Sequence, residues 1–378
     1  MDMLLNPPSL RVLFVLPALY RNGAVESMID LADALKRIGL EVEVLALEYL
    51  TPHSRLPQEA VKVDVALSEG QYYRRGLIPV LLMRLMRSVF RSDIVVLVWE
   101  NGPALKWGSR VAHLLQKPTL AMVRNNIQKS TLDSQGKDEP HVRRWAYQQA
   151  RAVVCVSKDL IPIVKSETDQ SKVLSISNCV DFKKIDALSK HPCPPDLTSE
   201  GIPFIVGLGR LAVQKGFDLL IKAHSAVLNN GIDHRLVVIG EGPDKSILWQ
   251  LCQDLGITNS VVFLGYSNNP YPALKQASLF CLSSRYEGQP KALMEACVLG
   301  VPVVSTDCLT GPREILEDGR YGDLVATESV DALSEAIARH FENPTRLKEK
   351  AQASAAYAER FSMETCAQKY HELIRSCV

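Results

Sequence analysis

Short apolar runs alternate with amphipathic stretches along most of this 378-residue chain. In the first half the apolar runs are RVLFVLP, EVEVLAL, DIVVLVW, TLAMVR and AVVCVS, which are rich in the aliphatic residues of buried strands. Between the first two runs, SMIDLADALKRIG repeats its apolar residues at helical spacing. Strands and helices that alternate in this way predict parallel sheets built from βαβ units.

This alternation of apolar runs and amphipathic stretches is interrupted by the proline-rich stretch KHPCPPDLTSEGIP and resumes at FIVGLG. The second series is more regular, with strands FIVGLG, RLVVIGEG, VVFLGY, LFCLSS and PVVST separated by helices FDLLIKAHSAVLNNG, KSILWQLCQDLG, YPALKQA and KALMEACVLG. Because the chain is too long for one typical core, we predict an α/β protein with two Rossmann-like, doubly wound parallel-sheet domains facing each other across a cleft. The N-terminal domain is expected over 1–185, a linker over 186–201, and the C-terminal domain over 202–361.

Composition and charge narrow the class of protein. Hydrophobic residues make up 47% of the chain and charged residues 22%, as in ordinary globular proteins. Residues 1–190 carry 26 basic against 20 acidic side chains, an excess too small to predict a nucleic-acid partner. The nine cysteines form no C-x-x-C pair, and the first apolar run indicates a buried strand rather than a signal peptide. The cysteine pattern is typical of reduced thiols in a cytoplasmic protein. No apolar run is long enough to span a membrane.

Polar residues and glycines follow successive strands of the second series, where ligands bind in open parallel sheets. They are Arg210, Lys215 and Gly216; Glu241 and Gly242; Arg285, Glu287 and Gly288; and Gly311, Arg313 and Glu314. Arg210 and Lys215 have the charge to hold a diphosphate, one by paired hydrogen bonds and one as a point charge. Each of them alone is more typical of a surface charge, so the prediction rests on the whole set lying at one edge of the sheet.

Glycines and a helix start add to this anion site. Gly242 and Gly288, with Gly209 and Gly265 at neighbouring strand ends, allow a backbone to approach a ligand closely. Pro290 suits the first position of a helix, so the amides of Lys291, Ala292 and Leu293 are expected to point at an anion.

Two carboxylates complete the set. Glu287 stands in the loop SSRYEGQP, and Glu295 comes eight positions later inside the predicted helix. Glu287 can reach hydroxyls near the phosphates and Glu295 can reach hydroxyls deeper in the site, as a nucleoside diphosphate carrying a sugar would offer. Alternatively, Glu287 is a solvated loop residue and Glu295 satisfies a buried polar group.

The runs GRLAVQKG, GEGP, SSRYEGQPKALMEACVLGVPVVSTD and GPREILEDGRYGDLV resemble the retaining family-4 glycosyltransferases (glycosyl transferases group 1) of the GT-B fold. Glu287 and Glu295 match that family's Glu-x7-Glu motif, and the resemblance covers nearly the whole chain, including ISNCVD at 176–181. It implies that Arg210 and Lys215 bind the donor diphosphate, that Glu287 contacts the donor sugar, and that Glu295 contacts the ribose. It also implies that a final helix, 362–378, packs back on the N-terminal domain.

The same resemblance implies an activity. The expected enzyme moves a hexose or N-acetylhexosamine from a nucleotide sugar, with UDP favoured over GDP, to a saccharide or polyprenyl-diphosphate-linked acceptor in cell-surface polysaccharide or lipopolysaccharide synthesis. Arg210, Lys215 and the helix amides would stabilise the charge of the leaving phosphate, while Gln289 and Pro290 would tune the choice of sugar. The chain contains no Asp-x-Asp, the usual carboxylate pair for a diphosphate-bound metal, so we expect no metal and no cofactor.

The N-terminal domain departs from the family pattern. The usual glycine pair of the first loop is Asn22-Gly23 here, followed by Glu26. The resemblance implies a contact of Gly23 and Glu26 with phosphate or acceptor, although this chain has only one of the two glycines. Where many members have a histidine near the acceptor, this chain has VRNN. Arg124 or Asn125 would then face an anionic acceptor, or Arg124 would pair with a neighbouring carboxylate.

Residues 72–91, YYRRGLIPVLLMRLMRSVFR, contain five arginines and no acid. A basic amphipathic segment of this kind can lie on an anionic membrane, which predicts peripheral contact with the inner face of the cell membrane. The alternative is a helix that packs on its own domain with its arginines in solvent.

Four other functions remain open on sequence grounds. GLGRLA at 207–212 fits the dinucleotide fingerprint of an NAD-dependent oxidoreductase, but Glu241 lies too far beyond it for the ribose acid, and Lys215, Glu287 and Glu295 are left without a role. A catalytically silent sugar-nucleotide-binding protein would share the fold. So would an epimerase or a phosphorylase.

Overall fold

The computed structural model describes residues 9–19, 23–49, 62–67, 77–129, 139–170, 172–198 and 201–378. Parts of two predicted segments, residues 72–76 and 199–200, lie outside these ranges. The chain divides into two compact units, the first formed by Met1–Cys179 with Met363–Val378 and the second by Val180–Ser362.

Within the described residues, the first unit has a seven-stranded parallel sheet in the order β3-β2-β1-β4-β5-β6-β7. Its strands are β1 Arg11–Leu19, β2 Glu41–Tyr49, β3 Lys62–Leu67, β4 Ile94–Leu97, β5 Thr119–Val123, β6 Ala152–Cys155 and β7 Val173–Ser175. Its helices are Gly23–Arg37, Ile78–Arg91, Gly102–Leu114, Pro140–Gln149, Leu160–Lys165 and Met363–Cys377. The strand order reverses between β1 and β4, which makes the sheet doubly wound.

The second unit repeats this architecture with six described parallel strands in the order β10-β9-β8-β11-β12-β13. These are β8 Phe204–Leu208, β9 Arg235–Ile239, β10 Val261–Gly265, β11 Leu279–Leu282, β12 Val303–Thr306 and β13 Asp323–Val325. The helices are Phe182–Ser189, Pro195–Thr198, Phe217–Asn229, Lys245–Asp254, Tyr271–Gln276, Lys291–Val298, Pro312–Ile315, Val330–Glu342 and Pro344–Tyr357, with short 3₁₀ turns at Val213–Lys215 and Ala358–Phe361. Here the order reverses between β8 and β11.

Burial on both faces explains why the strands are continuous apolar runs. In β1, the alternate residues Val12, Phe14 and Leu16 belong to one hydrophobic cluster. Leu13 and Val15 belong to a second cluster on the opposite face of the sheet. Helices cover both faces of a parallel sheet, so the strand residues that point to either face must be apolar.

The division between the units falls earlier in the chain than the predicted linker. Residues 186–201 were expected to join the domains, but Phe182–Ser189 is a helix of the second unit. Its Ile185 packs in the same cluster as Val180 and Leu197, because the proline-rich composition that suggests a linker is interrupted by apolar residues that reach the core.

The final helix, Met363–Cys377, belongs to the first unit rather than to the second. Its buried residues Cys366, Tyr370 and Ile374 recur every fourth position and share a cluster with Met28 and Leu35 of helix Gly23–Arg37. This one stripe of the helix therefore contributes to the core of the first unit.

Candidate functional site at the strand reversal of the second sheet

The reversal between β8 and β11 brings together the loops that follow these two strands. Connections leave the two strands in opposite directions, and a crevice forms there at the carboxyl end of an open parallel sheet. Gly209, Arg210 and Lys215 follow β8, and Ser284 and Glu287 follow β11. We call Lys215, Ser284, Glu287 and the first turn of helix Lys291–Val298 the switch-point site.

Lys215 and Glu287 form an ion pair at the centre of this site. The Lys215 ammonium lies 2.6 Å from Glu287 Oε1, and the hydroxyl of Ser284 donates to the same oxygen over 2.6 Å. Glu287 is only 5% exposed, whereas the Lys215 side chain is 21% exposed. Thr310 holds the segment from another side by donating its hydroxyl proton to the backbone carbonyl of Glu287. Two neighbours therefore fix the carboxylate of Glu287, and a third fixes its backbone.

The lysine loop packs directly on the β11 loop. Gly216 has φ +62°, and a Cβ atom there would lie 2.1 Å from the carbonyl oxygen of Ser283. The Ser283 hydroxyl donates to the carbonyl of Lys215 over 3.0 Å. Glycine at 216 thus serves both a left-handed backbone and a close backbone contact.

The remaining charged residues at these strand ends have different surroundings. Arg210 is exposed, and no salt bridge to it is found among the residues that the structure describes. Arg285, in contrast, is engaged by Asp218 and Glu328. Two more of these residues form ion pairs: Arg313 pairs with Asp307, and Glu241 pairs with Lys245.

Helix Lys291–Val298 directs its N-terminus to the loop that carries Glu287. Pro290 is the residue before the helix, with φ −70° and ψ 111°, rather than its first residue. No acidic residue lies in the first turn, so the positive end of the helix at Lys291, Ala292 and Leu293 is not offset by a carboxylate of its own. This arrangement favours an anion.

The deeper carboxylate is buried in the same helix. Glu295 is 7% exposed and its Oε1 accepts a hydrogen bond of 3.1 Å from the hydroxyl of Tyr271. Lys291 lies 3.9 Å from the same oxygen. Gln289, in the loop before the helix, is also buried.

The strand-end glycines bring backbone segments together. A Cβ atom at Gly242 would lie 2.1 Å from the carbonyl oxygen of Leu211. The close approach that the structure shows at Gly242 is therefore to the loop after β8. Gly209 donates its amide to Ile239, and Gly265 accepts from Gly240, so both glycines connect the ends of neighbouring strands. Gly288 lies close to Gly311, in the loop after β12. The carbonyl oxygen of Gly288 would be 2.7 Å from a Cβ atom at Gly311.

In the first unit, the predicted acceptor-side residues are spread over two elements. Gly23 and Glu26 are both exposed in the first turn of helix Gly23–Arg37. An acid in this turn already offsets the positive helix end, which weakens the case for phosphate there. Asn125 accepts a 2.9 Å hydrogen bond from the amide of Asn126, so its side-chain oxygen stabilises the local turn.

Arg124 lies beside a buried carboxylate that the sequence analysis missed. Its amide donates to Glu100 Oε2 over 3.1 Å, and its guanidinium lies 3.1 Å from Met28 Sδ. Glu100 is 2% exposed and follows β4 at the strand reversal of the first sheet. Burial raises the pKa of Glu100, and the backbone hydrogen bonds and the charge of Arg124 oppose this rise. The strand-end rule, applied to the first sheet as well as the second, would have found it.

Two further properties bear on ligands and membranes. Within the described ranges, no group of three or more His, Cys, Asp or Glu side chains is placed to hold a metal ion. None of the described helices combines the length and the apolar character needed to cross a bilayer.

Two doubly wound parallel α/β units, with a polar site at a strand reversal, define the GT-B class of fold. The structure of Anabaena HepE in complex with UDP-glucose superposes with a TM-score of 0.82 at 19% identity, over 97% of this chain and 99% of that one. Sucrose-phosphate synthase from Thermosynechococcus elongatus superposes with a TM-score of 0.77 at 15% identity, over 97% and 98% of the two chains. At these identities the likeness establishes the fold alone.

Two family models match the sequence. Glycosyltransferase Family 4 matches residues 21–184, and Glycosyl transferases group 1 matches residues 195–360. The chain belongs to the glycosyltransferases that these two models describe.

Curated relatives agree with this assignment. The lipopolysaccharide core biosynthesis glycosyltransferase LpsD of Rhizobium meliloti is 25% identical over 93% of this chain and 94% of its own length. An uncharacterized glycosyltransferase of Methanocaldococcus jannaschii is 33% identical over 46% of this chain. The Campylobacter jejuni N-acetylgalactosamine-N,N'-diacetylbacillosaminyl-diphospho-undecaprenol 4-alpha-N-acetylgalactosaminyltransferase is 31% identical over 44% of this chain. The matches span only 44% and 46% of the lengths of the last two proteins.

Proposed function

We propose that this protein is a retaining glycosyltransferase that moves a hexose or N-acetylhexosamine from a UDP-sugar to a saccharide acceptor in cell-surface polysaccharide synthesis. The observation that carries the proposal is the switch-point site, where the Lys215 ammonium and a helix N-terminus lie beside the buried Glu287 carboxylate. A nucleotide sugar combines an anion and a set of hydroxyls, which are the groups these residues can bind.

The chemistry follows from the charges at the site. As the bond between the sugar and the diphosphate breaks, negative charge grows on the leaving phosphate oxygen. Lys215, the exposed Arg210 and the amides at the start of helix Lys291–Val298 would stabilise that charge. The leaving oxygen would take the acceptor proton on the same face, which retains the anomeric configuration. Glu287 would hold sugar hydroxyls and Glu295 the ribose.

UDP is proposed as the nucleotide because Anabaena HepE, which has the same fold, has been solved with UDP-glucose. Transfer of an N-acetylhexosamine finds support in the Campylobacter relative, whose name specifies an N-acetylgalactosaminyltransferase acting on a diphospho-undecaprenol substrate. That name also supports a polyprenyl-diphosphate-linked saccharide as the acceptor. We further propose that transfer needs no metal, since the cations of the site can neutralise the diphosphate and the sequence lacks Asp-x-Asp.

Peripheral membrane contact is proposed through helix Ile78–Arg91. Leu81, Leu85 and Val89 face the core, whereas Met83, Met86 and Phe90 are 63%, 39% and 70% exposed. The exposed apolar residues recur at helical spacing on the opposite side, next to Arg87 and Arg91, and the helix has no acid. An anionic lipid surface complements both the apolar stripe and the positive charge.

A thermal-shift screen followed by turnover tests the proposed function. UDP and one UDP-sugar should raise the melting temperature, since a ligand at 100 times its Kd adds about 2.7 kcal/mol to the free energy of unfolding. GDP, ADP, CMP and NAD should not. Donor hydrolysis or transfer should persist with a chelator and disappear in Glu287→Ala.

Each alternative has its own outcome in this screen. A shift with NAD alone would support an oxidoreductase. Binding of a UDP-sugar with neither hydrolysis nor transfer to any acceptor would indicate a silent binding protein. A strict Mg²⁺ requirement would overturn metal independence, and an inverted anomeric product would overturn retention.

A further inference from the structure

Arg285 follows β11 within the loop that carries Glu287, yet its guanidinium is directed at protein groups. Its terminal nitrogens donate to Asp218 Oδ1 and Oδ2 over 2.8 Å each, as a paired interaction. One of them also donates to the carbonyl of Val213 over 2.8 Å. Its Nε lies 2.7 Å from Glu328 Oε1. With all three nitrogens engaged, Arg285 is not arranged to bind a phosphate itself.

These contacts enclose the turn that carries Lys215. Val213 begins the 3₁₀ turn Val213–Lys215, and Asp218 lies in the first turn of the helix that follows it. The backbone adds two more links, because the amide of Arg285 donates to the carbonyl of Gln214 over 2.8 Å and Gln214 Nε2 donates to the carbonyl of Tyr286 over 3.0 Å. The turn is therefore attached to the β11 loop before, at and after Lys215.

Charge and backbone strain indicate that the attachment is firm. Partial burial would raise the pKa of Asp218, but the hydrogen bonds and charge of Arg285 lower it overall, so the carboxylate stays ionised at neutral pH. Glu328 has φ +57°, a left-handed conformation that costs energy in a residue with a side chain. The Arg285 guanidinium is its ion-pair partner.

We propose that Arg285 is a positioning residue for the donor diphosphate and acts through Lys215 without touching the donor. This inference rests on the proposed function of the switch-point site. A lysine side chain loses rotamer freedom when it binds an anion, and a fixed backbone beneath it limits what else must be ordered. Releasing the turn should therefore weaken diphosphate binding in a way that depends on Lys215.

A double-mutant cycle with UDP as the ligand tests the proposal. Arg285→Gln should weaken UDP binding by about tenfold, as expected for coupled residues in one network. In a Lys215→Gln background, the same change should alter the UDP dissociation constant by less than about twofold. The UDP dissociation constants of the wild type, the two single variants and the double variant are measured by calorimetry. The protein concentrations should be high enough to resolve millimolar values.

Two further variants separate positioning from general destabilisation. Asp218→Asn breaks the Arg285–Asp218 ion pair by changing the other partner. If Arg285→Gln folds poorly, Asp218→Asn should show the same Lys215-dependent loss of UDP affinity. Arg320→Gln removes an exposed arginine that pairs with Glu317 in the same unit, and it should leave UDP binding unchanged.

The outcomes are distinct. Equal losses of affinity with and without Lys215, or a lower melting temperature at unchanged UDP affinity, would overturn the positioning role while leaving the proposed function intact. If the wild-type protein binds no UDP, the proposed function fails and this inference fails with it.

Discussion

The Lys215 ammonium and the Glu287 carboxylate lie 2.6 Å apart, although they were expected to bind different groups of the donor, the diphosphate and the sugar. A diphosphate that binds Lys215 is an anion and must compete with Glu287 for the same charge. If Lys215 turned towards the diphosphate, Glu287 would retain its hydrogen bond from Ser284. Under the proposed function, donor binding would then release a carboxylate that can accept sugar hydroxyls.

This competition predicts opposite effects of Glu287→Gln on binding and on turnover. The neutral amide no longer holds Lys215, so UDP should bind up to about fivefold more tightly, since a partly exposed ion pair contributes up to about 1 kcal/mol. Turnover should fall by about a hundredfold, as for other groups that stabilise a transition state. Calorimetry with UDP and a donor-turnover assay give the two quantities.

Glu295→Gln is the matched control for that variant. Glu295 is equally buried in the same site but accepts from Tyr271, so its amide should not tighten UDP binding. If Glu287→Gln weakens UDP binding instead, the two anions do not compete for Lys215.

Gly216→Ala should destabilise the protein more than an ordinary glycine substitution at positive φ. The left-handed backbone costs about 1–2 kcal/mol for a residue with a side chain. The new Cβ would also meet the carbonyl oxygen of Ser283 at 2.1 Å, so we expect a total loss of about 3 kcal/mol in the free energy of unfolding, in the range for steric changes in a packed region. Denaturant unfolding measures this loss.

Gly231→Ala supplies the comparison within the same unit. Gly231 has φ +82°, but a Cβ there would have nothing within 4 Å. Only the backbone cost should appear, about 1–2 kcal/mol. Equal losses at the two positions would mean that the two loops separate easily, and that Lys215 is not held in place by this contact.

A buried histidine pair should make the free energy of unfolding depend on pH. His234 Nδ1 lies 2.9 Å from the carbonyl of Ile232 and must donate, so in its neutral form His234 Nε2 accepts from His224 Nδ1 over 2.9 Å. With both rings neutral, His224 Nε2 accepts from the hydroxyl of Ser260, 2.9 Å away, and that hydroxyl then gives up its hydrogen bond to the carbonyl of Ile257. Burial of both rings favours these neutral forms.

Burial and the neighbouring His234 lower the pKa of His224 to about 3, and burial lowers the pKa of His234. In the unfolded chain both lie near 6.5. Each ring thus stabilises the fold fully above about pH 6.5, and this contribution is lost as the pH falls below it, by up to about 1.4 kcal/mol per pH unit for each histidine. Denaturant titrations at several pH values between 7 and 4.5 give the free energy of unfolding. Plotted against pH, it should have a shallower slope for His224→Gln than for the wild type. Parallel slopes would contradict this role.

Helix Ile78–Arg91 should bind anionic vesicles through its exposed stripe. Phe90→Asp places a charge in that stripe, so flotation with vesicles of phosphatidylglycerol should fall strongly at low salt. Leu114→Asp is the control, because Leu114 is also 70% exposed but lies at the end of helix Gly102–Leu114. Absence of vesicle binding by the wild type would remove the membrane proposal.

The apolar runs were sufficient to predict the long and central strands. Runs such as IVVL and VVST are apolar at nearly every position because helices cover both faces, and this signal is local in the chain. Three strands at sheet edges were not predicted from sequence: β3 Lys62–Leu67, β7 Val173–Ser175 and β13 Asp323–Val325. β7 and β13 have only three residues each, with mixed polarity and no periodicity, and only the neighbouring strand makes them part of a sheet.

The residue types of the switch-point site could also be read from the sequence, because strand-end positions and the Glu-x7-Glu spacing are local patterns. Their partners could not. Lys215 and Glu287 are 72 positions apart, and Arg285 reaches Asp218 across 67. Strand order brings β8 next to β11, and this order depends on how helices pack on the sheet rather than on any short stretch of chain. The sequence by itself therefore indicated which groups are proposed to bind a nucleotide sugar. The tertiary structure decided that Lys215 pairs with Glu287 and that Arg285 holds the turn that carries Lys215, since both contacts exist only once distant strands are adjacent.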